Sequence, residues 1–173
     1  MGIAPELTQD SPETAMPNRI AYLLKKFPRL SETFVLGEIL RQEALGQDIH
    51  VFSRREPDDE PRHPELERLR ATVERVPSQH ALNPWKELFV EPRTNARTTF
   101  DQLQRAVREF DRFEGLRLGR VLAEALYLRR RAEELGIDHI HAHFATESAI
   151  VAMMVHELGG PTYSITAHAK DIY

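Results

Sequence analysis

Three times in this chain an amphipathic segment ends in Leu-Gly and an apolar run follows within three residues. Glu43-Ala44-Leu45-Gly46 leads into Asp48-Ile49-His50-Val51-Phe52. Glu133-Glu134-Leu135-Gly136 leads into Asp138-His139-Ile140-His141-Ala142. His156-Glu157-Leu158-Gly159-Gly160 leads into Thr162-Tyr163-Ser164-Ile165-Thr166. Glycine just past a helix takes the left-handed conformation that other residues resist. A short helix-to-strand loop then sets the next strand parallel to its neighbours. Repeated helix-then-strand junctions therefore predict an open, doubly wound α/β fold around a parallel sheet.

The rest of the chain fits that frame. Ile20-Ala21-Tyr22-Leu23-Leu24 is a continuous apolar run, as expected of a strand buried on both faces. Ser31 is placed to cap a following helix, with Glu32 in its first turn and Val35, Leu36, Ile39 and Leu40 on one face. Strands are predicted near residues 19–25, 48–53, 72–77, 138–143 and 162–167, and helices near 31–45, 94–113, 116–135 and 146–158. Glu114-Gly115 separates the two middle helices, which suggests a helical hairpin. Arg129 falls among the apolar positions of its second arm, either snorkelling to a partner or aimed into a cleft. Residues 1–18 hold Pro5, Pro12 and Pro17 without periodicity and read as a disordered leader.

Composition narrows the function classes. A length of 173 residues suits one domain with a core of its own. A net charge of −4 gives no general nucleic-acid footprint, so no nucleic-acid partner is expected. The absence of cysteine removes disulfides, thiolate metal sites and cysteine nucleophiles, and a cytoplasmic location is the simpler reading. No apolar run approaches a membrane span, and Met1–Asn18 lacks the pattern of a secretory signal.

In open α/β sheets ligands bind beyond the carboxyl ends of the strands, and three segments fall there. The loop Lys25–Thr33 combines Lys25, Lys26 and Arg29 with the free N–H groups of a helix start, which together favour an anion. It lacks Gly-x-Gly-x-x-Gly, so a dinucleotide is not expected. His139, His141 and His143 alternate along one strand and share a face. They suggest a zinc site, but nothing nearby in sequence supplies a further ligand, and hydrogen-bonded strand histidines explain them as well. His168 lies just past a strand end, with Asp171 three residues on, where an imidazole can face a ligand and a carboxylate can orient it.

Phe27-Pro28-Arg29-Leu30-Ser31-Glu32-Thr33-Phe34, then Glu38 and Gly46, closely resembles the opening of bacterial family-four glycosyltransferases of the exopolysaccharide and colanic-acid type. His141-Ala142-His143-Phe144 and Thr166-Ala167-His168-Ala169-Lys170-Asp171-Ile172 resemble two further signatures of the same group, in the same order. The resemblance implies a GT-B architecture of two Rossmann-like domains, the N-terminal one holding the acceptor and the C-terminal one the nucleotide sugar. It also implies retaining transfer, usually without a metal, so no cofactor and no metal are expected. Carried over by position, His168 matches the histidine at the reaction centre. Pro28, Arg29, Ser31, Glu32 and Thr33 match the loop that approaches donor diphosphate and acceptor, although here that loop is not glycine-rich. His143 and Asp171 match further binding positions.

Family members run to several hundred residues, whereas this sequence reaches only Tyr173, just past the His168 motif. The expectation is therefore an incomplete acceptor-side domain over residues 19–173, a partial Rossmann-like doubly wound sheet, with the donor domain absent and little activity alone. The implied partners are a nucleotide-sugar donor, through the missing domain, and a saccharide or lipid-linked acceptor, with peripheral contact at the inner membrane face. Two alternatives stand beside it: a metal-dependent hydrolase using His141 and His143, and a non-catalytic Rossmann-like binding module.

Overall fold

A computed structural model describes residues 19–78, 81–82 and 115–168. Five strands form one parallel sheet: β1 (Arg19–Lys26), β2 (Asp48–Arg55), β3 (Thr72–Arg75), β4 (His139–His143) and β5 (Thr162–Thr166), in the order β3-β2-β1-β4-β5. Three α-helices lie among the described residues: α1 (Thr33–Ala44), α2 (Gly115–Leu135) and α3 (Glu147–Glu157). The architecture is the predicted α/β parallel sheet flanked by helices, consistent with a partial Rossmann-like fold. The predicted leader over 1–18 and helix over 94–113 lie outside the described residues.

The alternation of β1 divides the core in two. Tyr22 and Leu24 join Ile49 and Val51 on one face, under Val35, Leu36 and Ile39 of α1. Ala21 and Leu23 join Phe52, Ile140 and Ala142 on the other, under Val121, Leu128 and Ala132 of α2 and Val151, Met154 and Val155 of α3. Each fully buried Leu, Ile, Phe or Met side chain contributes about 1.5–3 kcal/mol. The central strand β1 is thus buried on both sides, which is why it reads as a continuous apolar run.

The Leu-Gly signal has the expected geometry. Gly46, Gly136 and Gly159 have φ of 87°, 64° and 83°. Behind each, paired backbone bonds close the helix end: Gly46 N–H to Glu43 O and Gln47 N–H to Gln42 O, Gly136 N–H to Glu133 O and Ile137 N–H to Ala132 O, Gly159 N–H to His156 O and Gly160 N–H to Val155 O. This double bond is the Schellman arrangement, and it turns each chain end directly into a strand.

The start of α1 departs from expectation. Ser31 does not cap it; Leu30–Glu32 form one 3₁₀ turn and the α-helix begins at Thr33. The Glu32 carboxylate accepts instead from Arg29 Nη1 at 2.8 Å. At the other end of α1, buried Glu43 accepts from the N–H groups of Arg70 and Ala71 at 3.0 and 2.6 Å, which anchors the approach to β3.

His50 lies in β2 on the α2 face, only 2% exposed, with Nε2 3.4 Å from Glu74 Oε2. Burial lowers its pKa; Glu74 opposes this, while Arg19 and Arg131 add to it. The unfolded imidazole titrates near 6.5. Stability from neutral His50 is therefore complete above about pH 6.5 and lost as pH falls through the lowered folded value. In urea unfolding, His50→Gln should flatten the fall in stability between about pH 7 and 5. An equally steep fall in the variant would assign the dependence to other groups.

Candidate functional site

The chain runs outward from β1 through β2 to β3, then returns to β4 on the other side of β1. The carboxyl ends of β1 and β4 therefore mark the point where the two windings part, the usual place for a ligand in such sheets. Three sequence segments meet there. Phe34 and Glu38 arrive on α1, His141, His143 and Phe144 from β4 and its end, and His168 from just past β5.

His168 is half-buried, and its ring lies 4.9 Å from Phe34 and 4.6 Å from Phe144. Its Nε2 is 3.3 Å from His143 Nδ1, and the two imidazoles stack at 5.6 Å. His143 is 2% exposed and turns its other nitrogen, Nε2, toward Glu38 Oε2 at 3.4 Å. Phe144 holds a left-handed backbone, φ 69°, and donates its N–H to Thr166 O at 2.8 Å. Such a conformation costs a non-glycine residue on the order of 1–3 kcal/mol and clusters at functional positions. Here it turns the chain sharply out of β4 beside His168.

The three strand histidines share the α1 face, as the alternation predicts, and His139 and His141 pair with hydroxyls of β5. Thr162 Oγ1 donates to Asp138 O at 3.2 Å, so at 2.8 Å it accepts from His139 Nδ1–H. Burial lowers the His139 pKa, and the neutral ring then presents a bare Nε2. Ser164 Oγ stands 2.7 Å from His139 Nε2 and 2.7 Å from His141 Nδ1. Having one proton, it donates to the first and accepts from the second. His141, also held neutral by burial, is thereby the Nδ1–H tautomer with a bare Nε2. That lone pair faces Thr166 Oγ1 at 3.1 Å and Glu38 Oε1 at 3.7 Å. Tyr22 O–H donates to the same Glu38 Oε1 at 2.8 Å; burial first, then Glu38, drives its pKa far above the ordinary tyrosine value.

The loop after β1 is built differently from the expected anion cradle. Lys26 pairs with Asp58, and Arg29 pairs with Glu32 and with Asp58 at 3.4 Å. The N–H of Leu30 goes to Glu60 at 3.1 Å. The acidic segment after β2 thus occupies Lys26 and the Leu30 N–H and shares Arg29 with Glu32. A cleft of about 260 Å³ between these loops is lined by Pro28, Arg29, Asp58, Glu60 and His63; neither His143 nor His168 lines it. Ser31 and Thr33 are exposed at the start of α1. The Phe27–Pro28 peptide is cis. Asp171 lies outside the described residues.

Sequence reasoning quoted Glu38 only as part of a motif and assigned it no role; the fold makes it the carboxylate of the histidine cluster. It also missed the buried pair of Arg54 and Glu124 behind the sheet. A signal existed, because Glu124 falls on the apolar stripe of α2 between Val121 and Leu128. Arg129, flagged in the sequence, is half-buried on α2, while its neighbours Arg130 and Arg131 pair with Glu134 and Glu74. No described helix is long and apolar enough to cross a membrane. No protein-family model matches the chain, and no curated protein matches it.

Proposed function

We propose that this chain forms the acceptor-side part of a retaining glycosyltransferase, moving a sugar from a nucleotide-sugar donor to a saccharide or lipid-linked acceptor. One observation carries the reading. The three motif segments that resemble the family, far apart in sequence, put Phe34 and Glu38, His143 and Phe144, and His168 into one cluster at the sheet's switch point. A transferase needs such a cluster. Aromatic rings give a sugar an apolar surface, and an imidazole beside them can bond a hydroxyl or steady charge as the phosphate departs.

The occupied donors of Lys26 and Arg29 support a division of labour, with the donor diphosphate held mainly by a partner domain. Holding donor and acceptor together can supply about 7–11 kcal/mol of the barrier. The 173-residue chain by itself should therefore bind acceptor without transferring sugar. Nuclear magnetic resonance titration of the labelled chain with oligosaccharides tests this. Shifts should centre on Phe34, Phe144 and His168. Shifts confined to the cleft around Asp58 and His63, or sugar transfer by the isolated chain near the enzyme median of about 10 per second, would refute the assignment.

A further inference from the structure

We propose that Glu38, His141 and His143 form a zinc-binding site that pins α1 to β4. The inference goes beyond the transferase reading, with which it shares Glu38 and His143, and is argued from these side chains alone. Their ligand atoms all lie within 4.8 Å of one another. Glu38 Oε1 is 3.7 Å from His141 Nε2, and Oε2 is 3.4 Å from His143 Nε2. Zinc bonds of about 2.0–2.2 Å to imidazole and carboxylate place tetrahedral ligand atoms about 3.3 Å apart. Binding would draw the cluster together to that spacing.

The burial of His143 points the same way. His143 Nε2 is buried and has no hydrogen-bond partner, although a carboxylate oxygen faces it. A carboxylate and two imidazole nitrogens thus converge on one point. A cation resolves that arrangement, and two nitrogens with one oxygen suit zinc over magnesium or calcium, which take oxygen ligands.

Each ligand is also held from behind, as metal ligands usually are. His141 Nδ1–H meets Ser164 at 2.7 Å, Glu38 accepts from Tyr22 at 2.8 Å, and His143 Nδ1 faces His168 at 3.3 Å. Glu38 and His141 retain partial exposure, which gives the ion a way in. Three protein ligands leave one position for water or a substrate hydroxyl.

The test is calorimetric titration of zinc into the chelator-treated, dialysed full chain, repeated with magnesium. One zinc per chain should bind, and magnesium should not compete. Glu38→Gln and His143→Ala should each weaken zinc by more than about 100-fold, beyond the 10–100-fold typical of a supporting residue, and Ser164→Ala should fall within that range. His63→Ala, which alters a remote imidazole, should change nothing. Circular dichroism establishes that each variant is folded. Should one fail to fold, cobalt added to the unaltered chain decides, because tetrahedral coordination gives an intense visible spectrum. No saturable zinc binding, no such cobalt spectrum, or binding that survives both Glu38→Gln and His143→Ala would overturn the site.

Discussion

Glu124→Ala should lower the unfolding free energy by about 3–5 kcal/mol, the cost of stranding one partner of a buried ion pair. Arg54 and Glu124 side chains are 3% and 2% exposed. Arg54 grips the carboxylate with two nitrogens, Nε to Oε1 and Nη2 to Oε2, the latter at 2.8 Å. Burial opposes the Arg54 charge, and the bonds and charge of Glu124, with Glu147, outweigh it, so its pKa rises. Without Glu124 a guanidinium that cannot lose its proton stays buried. Glu147, 3.2 Å from Nη2, recovers part of the loss, but its side chain is 35% exposed and solvent weakens the pairing. The pair joins the end of β2 to α2, so local unfolding there should also accelerate. Urea denaturation of Glu124→Ala, Arg54→Met and the double variant Arg54→Met/Glu124→Leu decides the matter. The double variant should be far closer to the starting protein than either single, because replacing both charges by apolar groups removes the desolvation cost. A single-variant loss below about 1 kcal/mol would mean that water reaches the pair.

On the transferase reading, His168→Ala should lower kcat by about 10²–10³ in an enzyme where a nucleotide-sugar-binding domain completes this chain, the scale of losing one oriented donor. The imidazole packs against both Phe34 and Phe144, and its Nε2 is turned toward His143. On that reading the ring bonds a sugar hydroxyl or the departing phosphate. An interaction stronger in the transition state than in the ground state lowers kcat while moving the acceptor KM less. His168→Gln, which keeps a hydrogen-bonding group, should recover part of the loss. The melting temperature should change little, since the ring is half-buried at the end of a strand. A kcat within about threefold of the starting enzyme, joined to a clear loss of stability, would make His168 structural.

Much of the fold is legible along the chain because the signals are local. Leu-Gly ends three amphipathic segments since only the residue after the helix must go left-handed, and glycine does so without strain at Gly46, Gly136 and Gly159. The apolar run of β1 announces burial on both faces, and the alternation of His139, His141 and His143 assigns all three to one face. Ser31 misled for an equally local reason. Its side chain suits a helix cap, but the 3₁₀ turn at Leu30–Glu32 moves the helix start beyond it.

What surrounds those histidines was not legible, because partners in a parallel sheet are chosen by strand order and not by spacing in sequence. The sequence by itself determined that β4 carries three imidazoles toward one side, and that the loop after β1 is rich in positive charge. Only the tertiary structure decided that α1 covers that side, so that Glu38 meets His141 and His143. It likewise brought Asp58 and Glu60 back over the loop after β1 and turned an apparent anion cradle into an internally paired one. Arg54 and Glu124, 70 positions apart, follow the same logic. Backbone conformation responds to near neighbours, whereas the charge state and bonding of a buried side chain respond to whatever the packing of distant elements sets against it.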